Sequence, residues 1–572
     1  MLESAATDTD AALLKAWKAR VQRAKRHLRW PDSAVVAIPH AGGASLALAA
    51  PPDQLITATE LNEWALAAAL LERNPSREAE LLAALAFEQP DAPVPPGIEE
   101  TAALERLAAR AAGEANPRLR ALLDAAHGRR LPCLLDDELL TIGTGPGGRT
   151  WPLSNLPNIE DVSWAELRAI PAALVTGTNG KTTVVRLITA CAQAEGWTTG
   201  HSCTDGLYVD GVPIKTGDYS GPDGARVLLR DARVEAAILE TARGGILRRG
   251  LALGRADAAV VTNISADHFG EYGIQDLGTL ADVKLAVAHL IGRDGLLVLN
   301  ADDEVLRAKS TQVDSPLGWF ALNYEHEVLL LHRAGGGATC GVRDGRLLLS
   351  HRDAEYDLGA VVSMPLTVDG VAAYNIANLA AAALGAAALG VAPATIAAVF
   401  ADFGSRPEDN VGRLMRYDIG GVRMLVDYAH NPAGIRGLLG VAEHLRRHGR
   451  IAVLLGQAGN REDADLRDLA AALAAFGPDL VVIKEELDYL RGRAPGEVPA
   501  ILQAALLQAG LPESAIAFGT SDGDAARQAI AWSRPGDVLA LLMHARKART
   551  ELLALFERMQ QTGWQAGQPL PA

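Results

Sequence analysis

Residues 174–187, LVTGTNGKTTVVRL, constrain the fold of this chain more than any other stretch. An apolar run leads into two glycines, and the apolar residues after Lys181 recur at helical spacing. Gly177 and Gly180 allow a tight turn and let the backbone approach an anion without a Cβ in the way. Backbone N–H groups at a helix N-terminus bind anions, aided by the helix dipole. The stretch therefore predicts a strand, an anion-binding loop and a helix in succession.

The polar side chains of this loop favour a nucleoside phosphate as the anion. Lys181 can span two phosphates, and the hydroxyl of Thr182 is placed to bind Mg²⁺. The strict pattern GxxxxGK[ST] would have a glycine at position 175, where this chain has Val175. A glycine turn before an ordinary helix is the alternative interpretation. The loop alone predicts a bound nucleotide and leaves the reaction open.

Short apolar runs alternate with helical windows from about residue 166, which predicts a parallel sheet covered by helices. Ligands of such sheets bind at the carboxyl ends of the strands. Acidic residues or a histidine follow three of the runs, namely Glu240, Asp267 with His268, and Asp302 with Asp303. Side chains of these types at neighbouring strand ends could hold one or two Mg²⁺ ions beside a triphosphate. The alternative is that an acid in this position only caps the next helix.

The sequence predicts an α/β protein of three domains, since 572 residues are too many for one core. Residues 1–165 show helical windows and predict a mainly helical N-terminal domain. Residues 166–405 predict a central P-loop domain with a parallel sheet, in which 326–368 form an antiparallel excursion. The runs that resemble its hairpin strands are EVLLLHRAGGG, RDGRLLLSH and VVSMPLTVDG. The alternation restarts after a linker at 404–413. Residues 406–572 therefore predict a smaller, Rossmann-like α/β domain.

The formal net charge of −15 argues against a nucleic acid or an anionic membrane as the partner. The long alanine-rich stretch from Ile376 is broken by Gly385, Gly390 and Pro393, and it predicts two buried helices rather than a membrane span. The N-terminus lacks a basic region followed by an apolar one, and the four cysteines form no CxxC pair. We expect a cytoplasmic protein, and its oligomeric state, a homo-oligomer included, stays open.

Four motifs together carry a resemblance to a known family. TGTNGKTT, ETARGGILRRGL, VVTNISADHFGEYGI and VLNADD occur in this order between residues 176 and 303. They resemble the Mur ligase superfamily. Within it, ETARGGILRRG, TDGLYVDG and KEELDYLRGRAPGEV are most similar to the C-terminal Mur-type module of cyanophycin synthetases. The resemblance covers about residues 170 to 550.

The resemblance implies an ATP-dependent acid–amino-acid ligase that forms ADP and phosphate through an acyl-phosphate intermediate, with ATP and Mg²⁺ as ligands. It implies that Thr182, Glu240 and His268 bind metal. Lys284 would be a catalytic lysine, carbamylated in many members; a surface helix lysine is the alternative. The resemblance also implies a set of residues that bind ATP, namely Thr178, Asn179, Gly180, Lys181, Thr182, Thr183, Asn375, Asn378, Arg413 and Asp427. Of these, Asn375 and Asn378 would lie near the adenine. His430 and Asn431 belong to the same motif as Asp427.

The physical chemistry agrees with this implied reaction. A carboxylate that attacks a γ-phosphate brings two negative charges together, so cations and in-line positioning must supply most of the catalysis. The same cations can stabilise the oxyanion formed when the amine attacks. The position of Arg413 and Asp427, beyond the linker, implies domains that close on ATP and exclude water.

The chain also departs from the resemblance. Full-length cyanophycin synthetases carry an ATP-grasp module before the Mur-type module, whereas about 165 residues precede the loop here. We therefore expect a single ligation, in which an amino acid joins an acidic, peptide-like acceptor. The alternative is a nucleotide-binding, non-catalytic or regulatory companion of a cyanophycin-type synthetase. Residues 1–165 would bind the acceptor or a docking partner, or would only complete the fold.

Two further groups are candidates for substrate recognition. Arg243, Arg248 and Arg249 could meet an acidic acceptor, although a solvated helix face is the alternative. By the same resemblance, Asn460, Arg461 and Asp463 lie where Mur-type enzymes recognise the incoming amino acid. The sequence does not indicate which amine they prefer.

Overall fold

The computed structural model describes residues 2–5, 9–40, 43–88, 98–266, 274–485 and 487–571. These residues form two compact units. The first unit comprises Met1–Ala169, Leu247–Leu253 and His268–Leu280, and the second comprises Ile170–Ile246, Gly254–Asp267 and Ala281–Ala572.

The first unit contains the predicted helices and also two small antiparallel sheets, which were not predicted from the sequence. Its helices are α1 (Ala11–His27), α2 (Leu55–Arg73), α3 (Glu78–Glu88), α4 (Glu100–Glu114) and α5 (Pro117–Gly128). Its strands are β1 (Leu2–Ala5), β2 (Val35–His40), β3 (Gly43–Leu48), β4 (Cys133–Leu135), β5 (Leu139–Ile142) and β6 (Arg149–Pro152). The described strands pair in the orders β1-β3-β2 and β4-β5-β6.

Buried tryptophans organise the core of the first unit. Trp17 on α1 and Trp64 on α2 are fully buried, and each indole N–H has a partner. Nε1 of Trp17 donates to Oδ1 of Asn62 at 2.9 Å. Satisfying the buried indole in this way removes the cost of an unpaired polar group.

The second unit contains a large sheet with the order β10-β9-β8-β11-β7-β12-β13-β14-β15-β16-β17 in the described chain. Its strands are β7 (Ala172–Thr176), β8 (Thr199–Cys203), β9 (Gly206–Val209), β10 (Val212–Thr216), β11 (Ala236–Glu240), β12 (Ala256–Val261), β13 (Ile291–Asn300), β14 (Leu317–Asn323), β15 (Ala338–Arg343), β16 (Arg346–His351) and β17 (Ala354–Ala360). The strands from β8 to β15 in this order run parallel, as predicted, and the strands at both edges are antiparallel.

The helices of this part of the chain are α6 (Lys181–Ala194), α7 (Pro222–Arg230), α8 (Arg243–Arg249), α9 (Leu277–Leu285), α10 (Glu304–Ser310), α11 (Glu327–Ala334), α12 (Ala373–Leu389) and α13 (Pro393–Asp402). The alanine-rich stretch forms two helices, α12 and α13, as predicted; α12 is largely buried, whereas α13 buries only Ile396 and Phe400 and is not the buried helix that was predicted. An added Cβ on Gly385 would lie 2.7 Å from Cδ1 of Ile188, so α12 packs directly on α6. Within the described residues, no helix is long and apolar enough to cross a membrane.

The predicted antiparallel excursion is only partly correct. Strands β15 to β17 form antiparallel hairpins, but the run EVLLLHRA, which resembled a strand, forms the helix α11. Nδ1 of His326 accepts the N–H of Val328 and caps this helix, and Leu331 is 76% exposed. The helix cap therefore favours a helix for the run EVLLLHRA, whose apolar residues are not all buried. The segment 361–370, also predicted as a strand, contains short 3₁₀ turns.

A second sheet completes this unit. Its strands are β18 (Met415–Ile419), β19 (Val422–Asp427), β20 (Ile451–Leu455), β21 (Leu480–Lys484), β22 (Ile516–Gly519) and β23 (Val538–Leu542), in the order β18-β19-β23-β20-β21-β22. Its helices are α14 (Pro432–Arg446), α15 (Asp463–Ala474), α16 (Glu497–Gln508), α17 (Asp522–Trp532) and α18 (Arg546–Gln561). The strands from β19 to β22 run parallel. This is the predicted Rossmann-like arrangement.

Candidate active site

The loop between β7 and α6 has the backbone that its glycines require. Gly177 and Gly180 have φ angles of 140° and 86°, values that residues with a Cβ rarely adopt. A Cβ on Gly177 would overlap the hydroxyl of Thr262, and one on Gly180 would overlap Oδ1 of Asn378. The loop therefore turns tightly and packs directly against two other elements. Lys181 is the first residue of α6.

The segment after β12 fixes the middle of the loop. The N–H of Thr178 donates to the carbonyl of Asn263, and the N–H of Asn179 donates to Oδ1 of Asn263 at 3.0 Å. The hydroxyl of Thr262 donates to the carbonyl of Asn179 at 2.6 Å, and the N–H of Ser265 donates to Oγ1 of Thr178. The motif TNIS is therefore a structural support for the loop, a role that the sequence analysis did not assign.

Two lysines converge on the start of the loop. Nζ of Lys181 donates to the carbonyls of Gly177 and Thr178 at 3.1 and 2.9 Å. Nζ of Lys284 donates to the same carbonyl of Gly177 at 2.7 Å. Lys284 is 4% exposed, so the alternative of a surface helix lysine is wrong. The two ammonium groups place positive charge beside the anion-binding turn.

A buried hydroxyl–carboxylate group lies at the carboxyl ends of β11 and β8. Oγ1 of Thr182 donates to Oε2 of Glu240 at 2.8 Å, and Oγ1 of Thr204 donates to Oε1 at 2.9 Å. Thr182 and Glu240 are 4% and 2% exposed. The parallel register explains the proximity, since Glu240 pairs with Val175, two residues before the loop begins. Thr204 was not predicted, although it directly follows β8 at the same sheet edge.

These oxygens suit a hard divalent cation. Mg²⁺ binds carboxylate and hydroxyl oxygens and keeps part of its shell for phosphate and water. Glu240 carries a carboxylate with both oxygens directed at hydroxyl groups, beside the helix N-terminus where phosphates bind. The third predicted ligand, His268, and its neighbour Asp267 lie outside the described residues. Within the described residues, no group of three or more His, Cys, Asp or Glu side chains is arranged as a metal site.

The other strand-end acids have structural roles. Oδ1 of Asp303 accepts the N–H groups of Val305 and Leu306 and caps α10. Oδ2 of Asp302 accepts the N–H of Leu322 at 2.7 Å. The helix-cap interpretation is thus the correct one for Asp303, and both carboxylates are directed at backbone N–H groups.

Arg413 reaches the loop from the linker that follows α13. Its Nη2 lies 3.4 Å from Oγ1 of Thr182, and its guanidinium lies over the ring of Tyr428 at 4.5 Å from the centroid. Asp427, at the end of β19, accepts the N–H groups of Leu414 and Ala429 at 2.6 and 2.7 Å. Burial raises the pKa of Asp427, an effect that Arg413 and these N–H groups oppose. Arg413 and Thr182, predicted from distant motifs, are therefore neighbours.

Thr183 contacts the same linker. Nδ2 of Asn410 donates to Oγ1 of Thr183 at 3.2 Å and to the carbonyl of Arg413 at 3.2 Å. Both Thr183 and Asn410 are 4% exposed. Asn410 was not among the predicted residues, and its place in the motif DNVGR was the available signal.

Asn375 and Asn378 form a buried chain of amides behind the loop. Nδ2 of Asn378 donates to Oδ1 of Asn375, and Nδ2 of Asn375 donates to the carbonyl of Leu366, both at 3.0 Å. Oδ1 of Asn378 faces Gly180. The structure thus brings Asn378 to the loop, while Asn375 extends the chain toward Leu366. Leu366 lines a cavity of about 280 Å³ that is also lined by Arg413 and Leu414.

The predicted recognition residues are spread over different environments. Arg243 is buried at the start of α8, while Arg248 and Arg249 are exposed near its end. Arg461 is buried, and Asp463 pairs with Arg493 at 2.8 Å. Arg493 also donates to the carbonyls of Gly459 and Arg461, so it holds the loop before α15.

Comparisons with known proteins agree with this architecture. Residues 175–386 match the Mur ligase middle domain, and residues 412–542 match the Mur ligase glutamate ligase domain. The chain is 36% identical over 340 residues to a cyanophycin synthetase of Synechocystis sp., a match that covers 59% of this chain and 38% of that protein. It is 34% identical over 383 residues to a cyanophycin synthetase of Trichormus variabilis, covering 65% of this chain and 42% of that protein.

A more distant relative and a solved structure also match the chain. A UDP-N-acetylmuramoyl-L-alanyl-D-glutamate–2,6-diaminopimelate ligase of Xanthomonas campestris is 29% identical over 326 residues, covering 54% of this chain and 61% of that ligase. The solved structure of E. coli FolC in complex with DHPP and ADP superposes with a TM-score of 0.50 at 19% identity, covering 68% of this chain and 89% of that one.

The matched domains, the loop and the strand-end residues define one class, the Mur ligases. The chain carries the middle and glutamate ligase domains of the Mur ligase family at residues 175–386 and 412–542. Within it, the chain is similar to cyanophycin synthetases, but it spans only about two fifths of their length.

Proposed function

We propose that this chain is an ATP-dependent amide ligase that joins an amino acid to an acidic, peptide-like acceptor through an acyl phosphate. The observation that carries the proposal is the buried contact of Thr182 with Glu240 at the start of the loop helix. A carboxylate is costly to bury without a counter-charge, so its place beside a phosphate-binding turn favours a cation there.

In the first step, the formation of the acyl phosphate, different residues of the site would bind the phosphates and the metal ions. Lys181 and the N–H groups of residues 180–183 would hold the β- and γ-phosphates of ATP. Thr182 and Glu240 would hold Mg²⁺, and His268 is the proposed ligand of a second ion. Bound Mg²⁺ supplies charge neutralisation between the phosphates and the attacking carboxylate. The acceptor oxygen attacks the γ-phosphorus, the bond to the β-phosphate oxygen breaks, and ADP leaves.

The second step forms the amide. The nitrogen of the amino acid attacks the acyl carbon, and phosphate leaves with the bonding electrons. Lys181 lies where it could stabilise the negative charge that develops on the acyl oxygen, because its ammonium group reaches the turn. Lys284, whose Nζ reaches the same turn, would lose its positive charge on carbamylation and would then bind the second metal ion as an anion. Carbamylation of Lys284 is part of the proposal. Arg413 would contact the phosphates from the linker, close to Thr182.

The nucleoside has a proposed place next to these residues. Asp427 would bind the ribose, and the cavity lined by Leu366, Arg413 and Leu414 is large enough for an adenine. Asn375, which donates to the carbonyl of Leu366, would shape the wall of that cavity. Asn378 would act on the nucleotide by fixing Gly180 in the loop.

We propose that each of the three predicted domains binds a different substrate or partner. Residues 166–405 would bind ATP and residues 406–572 would bind the amino acid and close the site, while residues 1–165 would bind the acceptor or a docking partner. The described cysteines are free thiols, which supports a cytoplasmic location.

ADP release tests this function. The enzyme is incubated with ATP and Mg²⁺, and a panel of amino acids is tested against acidic peptides, aspartate-rich ones included. We expect release that needs both one amino acid and one acceptor, and that is lost in Lys181→Ala. Tight ATP binding without turnover under any pairing would overturn the proposal in favour of a nucleotide-binding companion of a cyanophycin-type synthetase.

A further inference from the structure

Asp205 lies in the turn between β8 and β9, and two arginines from distant parts of the chain share its carboxylate. Nη2 of Arg186, on α6, donates to Oδ2 at 2.9 Å, and Nη2 of Arg549, on α18, donates to Oδ1 at 2.6 Å. The three side chains are 5–11% exposed. Burial alone would raise the pKa of Asp205, but Arg413, Arg186 and Arg549 hold it below its usual value. The carboxylate is therefore ionised at neutral pH.

Both arginines also hold the linker that leads to Arg413. Nη1 of Arg186 donates to the carbonyl of Val411 at 2.7 Å and to Oδ1 of Asn410 at 3.3 Å. An added Cβ on Gly412 would lie 2.6 Å from Nη1 of Arg549, so the linker backbone rests on that guanidinium. The linker thus contacts α6 through Arg186 and α18 through Arg549.

The neighbour of Asp205 belongs to the candidate cation site. Thr204 donates to Oε1 of Glu240, and Thr182 donates to the other carboxylate oxygen. The turn formed by Thr204 and Asp205 therefore contacts both Glu240, the proposed Mg²⁺ ligand, and the two arginines that hold the linker. A shift of this turn would change the positions of Glu240 and Arg413 together.

We propose that Asp205 is a positioning residue for the ligation reaction. Through Arg186 and Arg549 it holds the linker so that Arg413 lies at Thr182, and through the turn it shares with Thr204 it aligns Glu240. The proposal rests on the proposed function of this site. Asp205 itself touches no substrate in this scheme. Its effect is on the geometry of residues that do, and small displacements of such residues lower rates strongly.

The test compares Asp205→Asn with Asp537→Asn in the full-length chain. Asp537 is a matched control, because it is also a buried carboxylate paired with an arginine, Arg450, at 2.6 Å, but lies at the amino end of β23. We expect Asp205→Asn to lower kcat about ten- to hundredfold at saturating ATP. The KM for ATP should change less than about threefold, and Asp537→Asn should leave both constants near those of the parent.

Amide hydrogen exchange gives a readout that does not need turnover. In Asp205→Asn, residues 410–413 and the first turn of α18 should exchange faster than in the parent, while Asp537→Asn should not change them. In a double-mutant cycle with Arg549→Met, the second substitution should add little to the loss of kcat.

The outcomes separate this inference from the proposed function. If Asp205→Asn matches Asp537→Asn in kcat and in exchange, the positioning role is wrong even though the enzyme is a ligase. If the parent shows no turnover, the proposed function fails. Unchanged exchange of residues 410–413 would then reject the role of Asp205 in holding the linker as well.

Discussion

Asn179 of the loop and Asn431 at the N-cap of α14 exchange two side-chain hydrogen bonds. Nδ2 of Asn431 donates to Oδ1 of Asn179 at 2.9 Å, and Nδ2 of Asn179 donates to Oδ1 of Asn431 at 3.3 Å. Oδ1 of Asn431 also accepts the N–H of Gly434 and caps α14. The side chain of Asn431 thus joins the loop to α14 and caps the start of that helix.

Substitution of Asn431 separates these two roles. Serine can still cap a helix, so the free energy of unfolding of Asn431→Ser should be about 1 kcal/mol higher than that of Asn431→Ala. Both variants lose the contact with Asn179, and kcat/KM for ATP should fall about three- to tenfold. Urea unfolding and steady-state kinetics measure the two effects. Parental kinetics in Asn431→Ser would show that the contact does not matter for the loop.

Removal of the charge on Glu240 should affect the requirement for Mg²⁺. Glu240→Gln keeps the shape and can still bond to Thr182, so folding should persist, but a ligand oxygen loses its charge. We expect half-maximal activity at an Mg²⁺ concentration at least about tenfold higher. Glu235→Gln is the control, because Glu235 is exposed just before the opposite end of the same strand. Identical Mg²⁺ titrations for the two variants would argue against Glu240 as a ligand.

Gly180 should not tolerate a side chain. In Gly180→Ala the residue must keep a φ of 86°, and its Cβ would overlap Oδ1 of Asn378. We expect a loss of at least about 1 kcal/mol in unfolding free energy and the loss of ATP binding by calorimetry. Gly440→Ala is the control, since it lies within α14 with nothing within 4 Å of an added Cβ, and it should gain about 0.5–1 kcal/mol. Normal ATP affinity in Gly180→Ala would contradict the loop geometry.

The stability contributed by Asp537 should depend on pH. Burial alone would raise the pKa of Asp537, but hydrogen bonds from Arg450 and from backbone N–H groups lower it below the usual value. A lowered pKa means that the native state binds the proton less tightly than the unfolded chain, so the stabilisation is present above about pH 4 and is lost as pH falls further. Asp537→Asn should therefore destabilise the protein by about 1–3 kcal/mol at pH 7 and by much less near pH 3. An equal loss at both pH values, measured by urea unfolding, would contradict this assignment.

The sequence predicted the parts of the site that local pattern encodes. A strand, a glycine turn and a helix N-terminus are local features, so the loop with Lys181 and Thr182 was found, and strand ends identified Glu240. The two parallel sheets followed from the alternation of strands and helices. Residues that act through tertiary contact were missed. Asp205 and Arg549 are 344 positions apart, and nothing near either one indicates that they share a buried ion pair.

Tertiary contacts and helix capping also explain the other differences between the sequence-based predictions and the structure. The run at 327–334 is apolar enough for a strand, but its capping residue makes it a helix. Lys284 could be a surface lysine by its helical spacing, and only the packing of α9 against the loop shows that it is buried. The strands of the first unit were missed because short runs such as VVAIPH contain few residues and include a proline.

The proposed acyl phosphate is tested most directly by following the oxygen atoms of the acceptor. An acceptor whose carboxylate carries ¹⁸O is converted with ATP, Mg²⁺ and the amino acid that supports turnover, and the released phosphate is analysed by mass spectrometry. The proposed acyl-phosphate route predicts that one ¹⁸O atom passes from each ligated carboxylate into phosphate, because the acyl phosphate is cleaved at the acyl carbon. Amide formation with ADP release but no ¹⁸O in phosphate would contradict it.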